Sequence, residues 1–155
     1  MDDGFRQYVE ALHASFERLV NMKPQTVDAL TSTLPMECVY LFSEGGRHLY
    51  VGRTRNLRQR LRNHCSNASE HNQAVFAFKL AREFTGRTRV DYSKQNSRKE
   101  LLTVPSFAAA FSNAKVRIRG MELRFIEEKD PLRQALLEIY ASFVLKTPYN
   151  DFDTH

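Results

Sequence analysis

Apolar positions follow helical spacing at the start of the chain, strand spacing in the next segment, and helical spacing again towards the end. Phe5, Tyr8, Val9, Leu12, Phe16, Leu19 and Val20 recur at i, i+3, i+4 and i+7, which predicts an amphipathic helix that Pro24 ends or lies just beyond. Thr26 to Leu34 reads as a connector with some helical character. Two short apolar runs, Glu37 to Ser43 and His48 to Arg53, flank Glu44-Gly45-Gly46 and predict a β-hairpin. Thr54 or Asn56 can then cap a helix that reaches about His64.

Farther on, Ala74, Val75, Phe78, Ala81 and Phe84 give the stretch from Glu70 to Phe84 a helical period. Thr85 to Val104 is polar and basic with little periodicity, and Pro105 to Ala114 predicts a short helix. Met121, Leu123, Phe125 and Glu127 alternate with Glu122, Arg124 and Ile126, the period of a third strand. Asp130-Pro131 reads as an N-cap followed by proline at the first helical position, opening a helix that runs to about Lys146 before Pro148. The expected class is α/β in the α+β sense: a small three-stranded sheet that opens with a hairpin and is flanked by helices.

Composition narrows the picture. With 155 residues, 42% hydrophobic and 26% charged, the chain is sized for one domain with a real core. Its formal net charge is +5. Arg47, Arg53, Arg55, Arg58, Arg60 and Arg62 lie between Gly45 and Ser69, where no acid occurs, so positive charge is concentrated at the hairpin and the helix after it. Such concentration points to a polyanion partner, with a solvated basic helix face as the plain alternative. Two cysteines, Cys38 and Cys65, can neither staple a secreted scaffold nor make a four-thiolate metal site. No apolar run is long enough to span a bilayer, and the expected setting is a reducing cytoplasm.

The candidate chemistry sits on the hairpin and the helices. At 100° per residue, Leu57, Leu61 and His64 share a stripe of the helix after Gly52, and Arg60 lies on its edge. A guanidinium held at the border of a core suits a phosphate, or the charge of its transition state; an ordinary ion pair is an equal reading. In the last helix, Glu138 is the single charged residue of QALLEIYASFVL. A carboxylate there requires a cation, either a divalent metal or an arginine of the hairpin region. Tyr40 and Tyr50 are strand tyrosines, which usually pack; beside cations, a lowered phenol pKa would let one handle a water's proton. His64 is open as a base, a phosphate contact or a buried hydrogen-bonded residue. The histidines show no metal-ligand spacing, and no phosphate-binding glycine loop or nucleophile elbow is present.

Taken together these residues resemble the GIY-YIG nuclease family. Cys38-Val39-Tyr40 stands where the first signature falls, with cysteine in place of the usual glycine, and Tyr50-Val51-Gly52 meets the second. Arg60 follows Gly52 by eight residues, in the position of the family's catalytic arginine, and His64 occupies a position where many members have histidine. Glu138 on a late helix matches the metal-binding glutamate, and Asn150 in Pro148-Tyr149-Asn150 matches the asparagine beyond it.

The resemblance implies a single domain, with residues 1–34 as a helical extension and 35–155 as a GIY-YIG-like catalytic domain carrying an insertion at 65–114. It implies a metal-dependent endonuclease acting on DNA phosphodiesters, with Mg²⁺ or Mn²⁺ held by Glu138 and water. Arg60 would neutralise charge on the phosphorus. Tyr40 by preference would be the general base, Tyr50 and His64 would position water or phosphate, and Asn150 would support the site. Arg53, Arg55, Arg58 and Arg62 are candidates for gripping the nucleic-acid backbone, with Arg87, Arg89, Lys94, Arg98 and Lys99 as a second set. A homodimer or a partner protein would supply specificity. A non-catalytic nucleic-acid-binding module on the same fold, or a protein-interaction domain, stands as the alternative.

Overall fold

Asp2 opens the first helix, α1 (Asp3–Asn21), its carboxylate accepting the Phe5 N–H at 2.8 Å. In the computed structural model, residues 1–88 and 97–152 are described. The chain divides into two compact units, Met1–Arg60 together with the segment from Met121 onward, and Leu61–Gly120.

The first unit is built on a hairpin, β1 (Cys38–Glu44) and β2 (Arg47–Thr54). Glu44 pairs with Arg47, so Gly45 and Gly46 form a two-residue loop. Both have positive φ (58° and 78°), as the turn that matches strand twist requires, and glycine adopts this without steric cost. β3 (Glu122–Glu127) pairs antiparallel with β1 from the other side, giving the order β2-β1-β3. Central β1 is buried along Cys38–Ser43, which explains its continuous apolar run. Alternation sends Val39, Leu41 and Val51 to one face, where they meet Leu12, Phe16 and Leu19 of α1 and Leu137 and Ala141 of α6 (Pro131–Leu145). Tyr40, Phe42, Tyr50 and Gly52 point to the other face. Phe5 and Val9 extend the apolar stripe of α1 but stay exposed; the stripe is longer than the core that covers it.

Both outer edges of the sheet are partly engaged. Gln25 exchanges two backbone hydrogen bonds with Leu123 of β3, at 3.0 and 2.7 Å. On β2, the side-chain amide of Asn150 imitates a strand: Oδ1 accepts from Val51 N–H and Nδ2 donates to Val51 C=O, each at 2.8 Å. Tyr149 N–H donates to Leu49 C=O alongside at 3.2 Å. Exposed edges invite further pairing, and these contacts occupy part of each edge.

α6 starts as the Asp130-Pro131 pair predicts. Asp130 accepts from the Arg133 N–H at 2.8 Å and also from the Tyr8 hydroxyl of α1. The helix ends at Lys146, which takes a left-handed conformation (φ 52°), before Pro148 is reached.

The second unit contains α3 (Val75–Phe84), α4 (Arg98–Leu101) and α5 (Pro105–Arg119), with α2 (Leu57–Cys65) from Leu61 onward. α3 begins later than its apolar period suggests, since Glu70 to Ala74 makes a turn closed by Gln73 N–H to Glu70 C=O. α5 continues past Ala114 to Arg119, and the short α4, capped by Ser97 accepting from Glu100 N–H, gives no periodic signal because it is a single turn. Phe78 is the aromatic centre, 5.1 Å from Phe107 and 5.8 Å from Phe111 between ring centroids. Lys115 is buried, donating to the Asn67 and Ser69 carbonyls with its ammonium 4.1 Å from the Phe111 ring centre; burial lowers its pKa. Among the described residues no helix is long and apolar enough to cross a membrane.

The strand-like grip of Asn150 leads to an expected outcome. Asn150→Ala leaves the Val51 peptide groups without protein partners at the β2 edge, and should destabilise the fold by about 1–3 kcal/mol, read from urea unfolding. Asn150→Asp keeps the acceptor and loses the donor, and should fall between the alanine variant and the parent.

Candidate active site

Tyr40 and Gly52 are cross-strand partners, and the tyrosine ring lies directly over the glycine. A β-carbon at Gly52 would come within 2.3 Å of the Tyr40 ring carbon that bears the hydroxyl. Glycine is therefore required here by close approach. Lying flat across the strand, the fully buried Tyr40 reaches α2, where its hydroxyl accepts from Nε of half-buried Arg60 at 3.0 Å. The start of α2 is itself fixed: Leu57 N–H donates to Met36 C=O at 2.9 Å, and Asn56 Oδ1 caps it through Gln59 N–H at 3.0 Å.

Tyr50 lies two residues before Gly52 on the same face, its ring centroid 6.3 Å from that of Tyr40, and its hydroxyl is hydrogen-bonded to Arg60 and Tyr40. Burial raises both phenols above the ordinary tyrosine range, against the opposing pull of Arg60. Burial also opposes the Arg60 charge, but the two tyrosine oxygens more than offset it and its pKa rises. The guanidinium is thus permanently charged and held between two neutral phenols.

The carboxylate arrives from α6. Buried Gln134 donates its side-chain N–H to the Thr54 carbonyl at the end of β2 (3.3 Å) and to the Glu128 carbonyl after β3 (2.6 Å), setting the helix against two strand ends. One turn later, on the same helix face, Glu138 receives the Nε hydrogen bond of Arg53 at 2.9 Å. Desolvation pushes the Glu138 carboxyl up, while Arg53 and then Arg60 pull it down. Tyr40, Tyr50, Arg53, Arg60 and Glu138 thus belong to one electrostatic cluster in the first unit.

The other expected residues fall elsewhere. Asn150 engages the outer edge of β2 at Val51, and Thr147 Oγ1 donates to the same Oδ1 at 2.8 Å. His64 belongs to the second unit, where it is fully buried and edge-on to Phe76 at 6.4 Å between centroids. Arg55, Arg62, Arg87 and Lys99 are exposed, Arg58 donates to the Ser32 carbonyl, and Arg98 lies 5.8 Å from the centre of the Phe78 ring. Arg89 and Lys94 lie outside the described residues. Arg82, absent from the expected basic sets, is buried with its guanidinium 5.0 Å from the Phe78 ring centre. Gln134 and Thr147 escaped sequence reading too; Thr147 is three residues before Asn150, and that spacing is its signal.

Among the described residues no three His, Cys, Asp or Glu side chains converge as a metal cluster. The donor set instead fits a magnesium-type ion, which takes one or two carboxylates and fills its octahedron with water and phosphate oxygens. Glu138, a desolvated carboxylate already paired with Arg53, is the residue that would hold it.

A charged guanidinium, two phenols and a carboxylate with its own arginine partner thus meet in the first unit. Residues 36–103 match the family model of the GIY-YIG catalytic domain. The three-stranded antiparallel sheet flanked by helices agrees with that fold. The matched segment contains Tyr40, Tyr50, Gly52, Arg53, Arg60 and His64; Glu138 and Asn150 come from beyond it. Curated proteins and solved structures gave no match to the chain.

Two outcomes follow from this geometry. Gly52→Ala forces the buried Tyr40 ring off the strand, and should cost about 1–3 kcal/mol in urea unfolding. The two phenols, kept neutral by burial, should titrate above the ordinary value of about 10, seen as late tyrosinate absorbance that Tyr40→Phe and Tyr50→Phe each reduce. The sign follows from proton binding: above that pH the unfolded chain has lost protons that the folded chain keeps. Stability therefore falls as pH rises through this range, and the loss shrinks in the phenylalanine variants.

Proposed function

We propose that the protein is a divalent-metal-dependent endonuclease that hydrolyses DNA phosphodiester bonds. The observation that carries this reading is Arg60, held by Tyr40 beside Tyr50 and within the electrostatic reach of Glu138. Hydrolysis of a phosphodiester builds negative charge on the phosphorus oxygens, and a fixed cation stabilises that charge without reorganising. Arg60 spends its Nε hydrogen on Tyr40, which aims the rest of the planar guanidinium and prevents it from swinging into solvent.

Magnesium or manganese bound at Glu138 would supply Lewis-acid stabilisation of phosphate charge. A phenol takes the proton of the attacking water only once it has lost its own, which burial opposes here and which Arg60 together with a dication at Glu138 would favour; that role is assigned to the Tyr40–Tyr50 pair. Tyr40 is the phenol whose hydroxyl Arg60 Nε contacts directly, and Tyr50 retains the greater exposure (8%) for ordering the water. In this reading Asn150 holds β2, and therefore Tyr50 and Gly52, in register. His64, fully buried, fixes packing and does not contact the substrate. The exposed Arg55 and Arg62 provide sequence-independent backbone contacts. One such site cuts one strand, so double-strand cleavage calls for a second copy or a partner protein. Two free thiols, Cys38 and Cys65, suit a cytoplasmic setting.

Cleavage of plasmid, branched and single-stranded DNA with Mg²⁺ or Mn²⁺ tests the proposal. Arg60→Ala should lower the rate by about 10²-fold or more, and Glu138→Ala should remove the metal-stimulated activity. Residual cutting unchanged in both variants would rule out these roles. Salt-dependent binding with no cutting of any substrate would instead support a non-catalytic binding module.

A further inference from the structure

Arg53 and Glu138 are 85 residues apart in sequence, yet Nε and Oε2 lie 2.9 Å apart. The arginine side chain is 48% exposed and the carboxylate 21%, so the carboxylate is fixed in a recess while its partner extends from solvent. Desolvation is the largest influence on Glu138, and Arg53 is the largest opposing one. One of the two carboxylate oxygens, Oε2, is therefore already held by a positive side chain. Arginine does not lose its charge by deprotonation under ordinary conditions, so only competition can remove it.

We propose that Arg53 is the resident counter-ion of Glu138, displaced when a divalent cation binds, and that metal loading thereby releases an arginine towards the phosphate substrate. The inference rests on the reading of Glu138 as the metal ligand. An arginine and a dication on one carboxylate repel each other, so each weakens the other's hold. Exchange keeps the recessed carboxylate compensated in both states, so the metal-free protein carries no uncompensated charge at the site. The freed guanidinium stays tethered immediately after Gly52, on the strand that carries Tyr50, with its hydrogen-bond donors available to an anion. Phosphate binding to Arg53 then disfavours the return of the arginine to Glu138. Metal and nucleic acid therefore favour each other's binding, as linkage requires.

The test reads metal affinity on the full chain without nucleic acid, following free Mn²⁺ by its paramagnetic resonance signal. Arg53→Gln removes the competitor and should tighten Mn²⁺ binding about two- to fivefold, the scale of a partly exposed ion pair. Arg53→Lys, which keeps the charge, should stay near the parent. Equal or weaker binding in Arg53→Gln, with affinity still dependent on Glu138, overturns the inference and leaves the nuclease reading intact. Glu138→Gln should abolish tight binding in both backgrounds. If it changes nothing, the Glu138 assignment falls and the inference falls with it.

Discussion

The approach of Tyr40 to Gly52 is the constraint on which the site depends. A buried phenol lies across the neighbouring strand only because nothing projects from that strand beneath it. Were the ring to stand upright, its hydroxyl would not meet Arg60, and the guanidinium would be one more cation on an exposed helix face. The two strands are locked in the register that opposes Tyr40 to Gly52 by a two-residue glycine turn and by alternation, since a slip of one residue would send Tyr40 into the α1-facing core.

Glu138 depends on a second constraint, the seating of α6. Leu137 and Ala141 anchor one side of that helix in the core, while Gln134 ties it to two strand ends. Adjacent helical positions diverge by about 100°, so burying Leu137 directs Glu138 away from the core and towards Arg53. The carboxylate is recessed enough to need a positive partner, and its partner Arg53 is itself partly exposed. That balance of burial and access links a structural ion pair to a metal-dependent reading of the same residue.

The hydrophobic period and the turn chemistry made most of the fold legible. The α1 stripe, the glycine turn, the third strand and the Asp130-Pro131 helix start all appear where local pattern places them. The extension of α5 and the single turn of α4 were not legible, because a short or mixed helix carries no strong period. The site was legible as a set of residues and not as an arrangement. Arg53 looked like one more backbone-gripping arginine, and His64 was open to three roles. Which carboxylate an exposed arginine meets, or whether a histidine is buried, depends on residues far away in sequence.

The sequence by itself determined the hairpin, the order of elements, the concentration of positive charge and the identity of the chemically capable groups. These follow from spacing and side-chain chemistry, which are local. Only the tertiary structure decided that Tyr40 lies on Gly52, that Asn150 serves as a surrogate strand on Val51, and that Arg53 holds Glu138. Each of these joins groups on different strands, helices or turns, two of the three across more than eighty residues. Such pairs form because burying the core brings the elements together, and no local pattern encodes that.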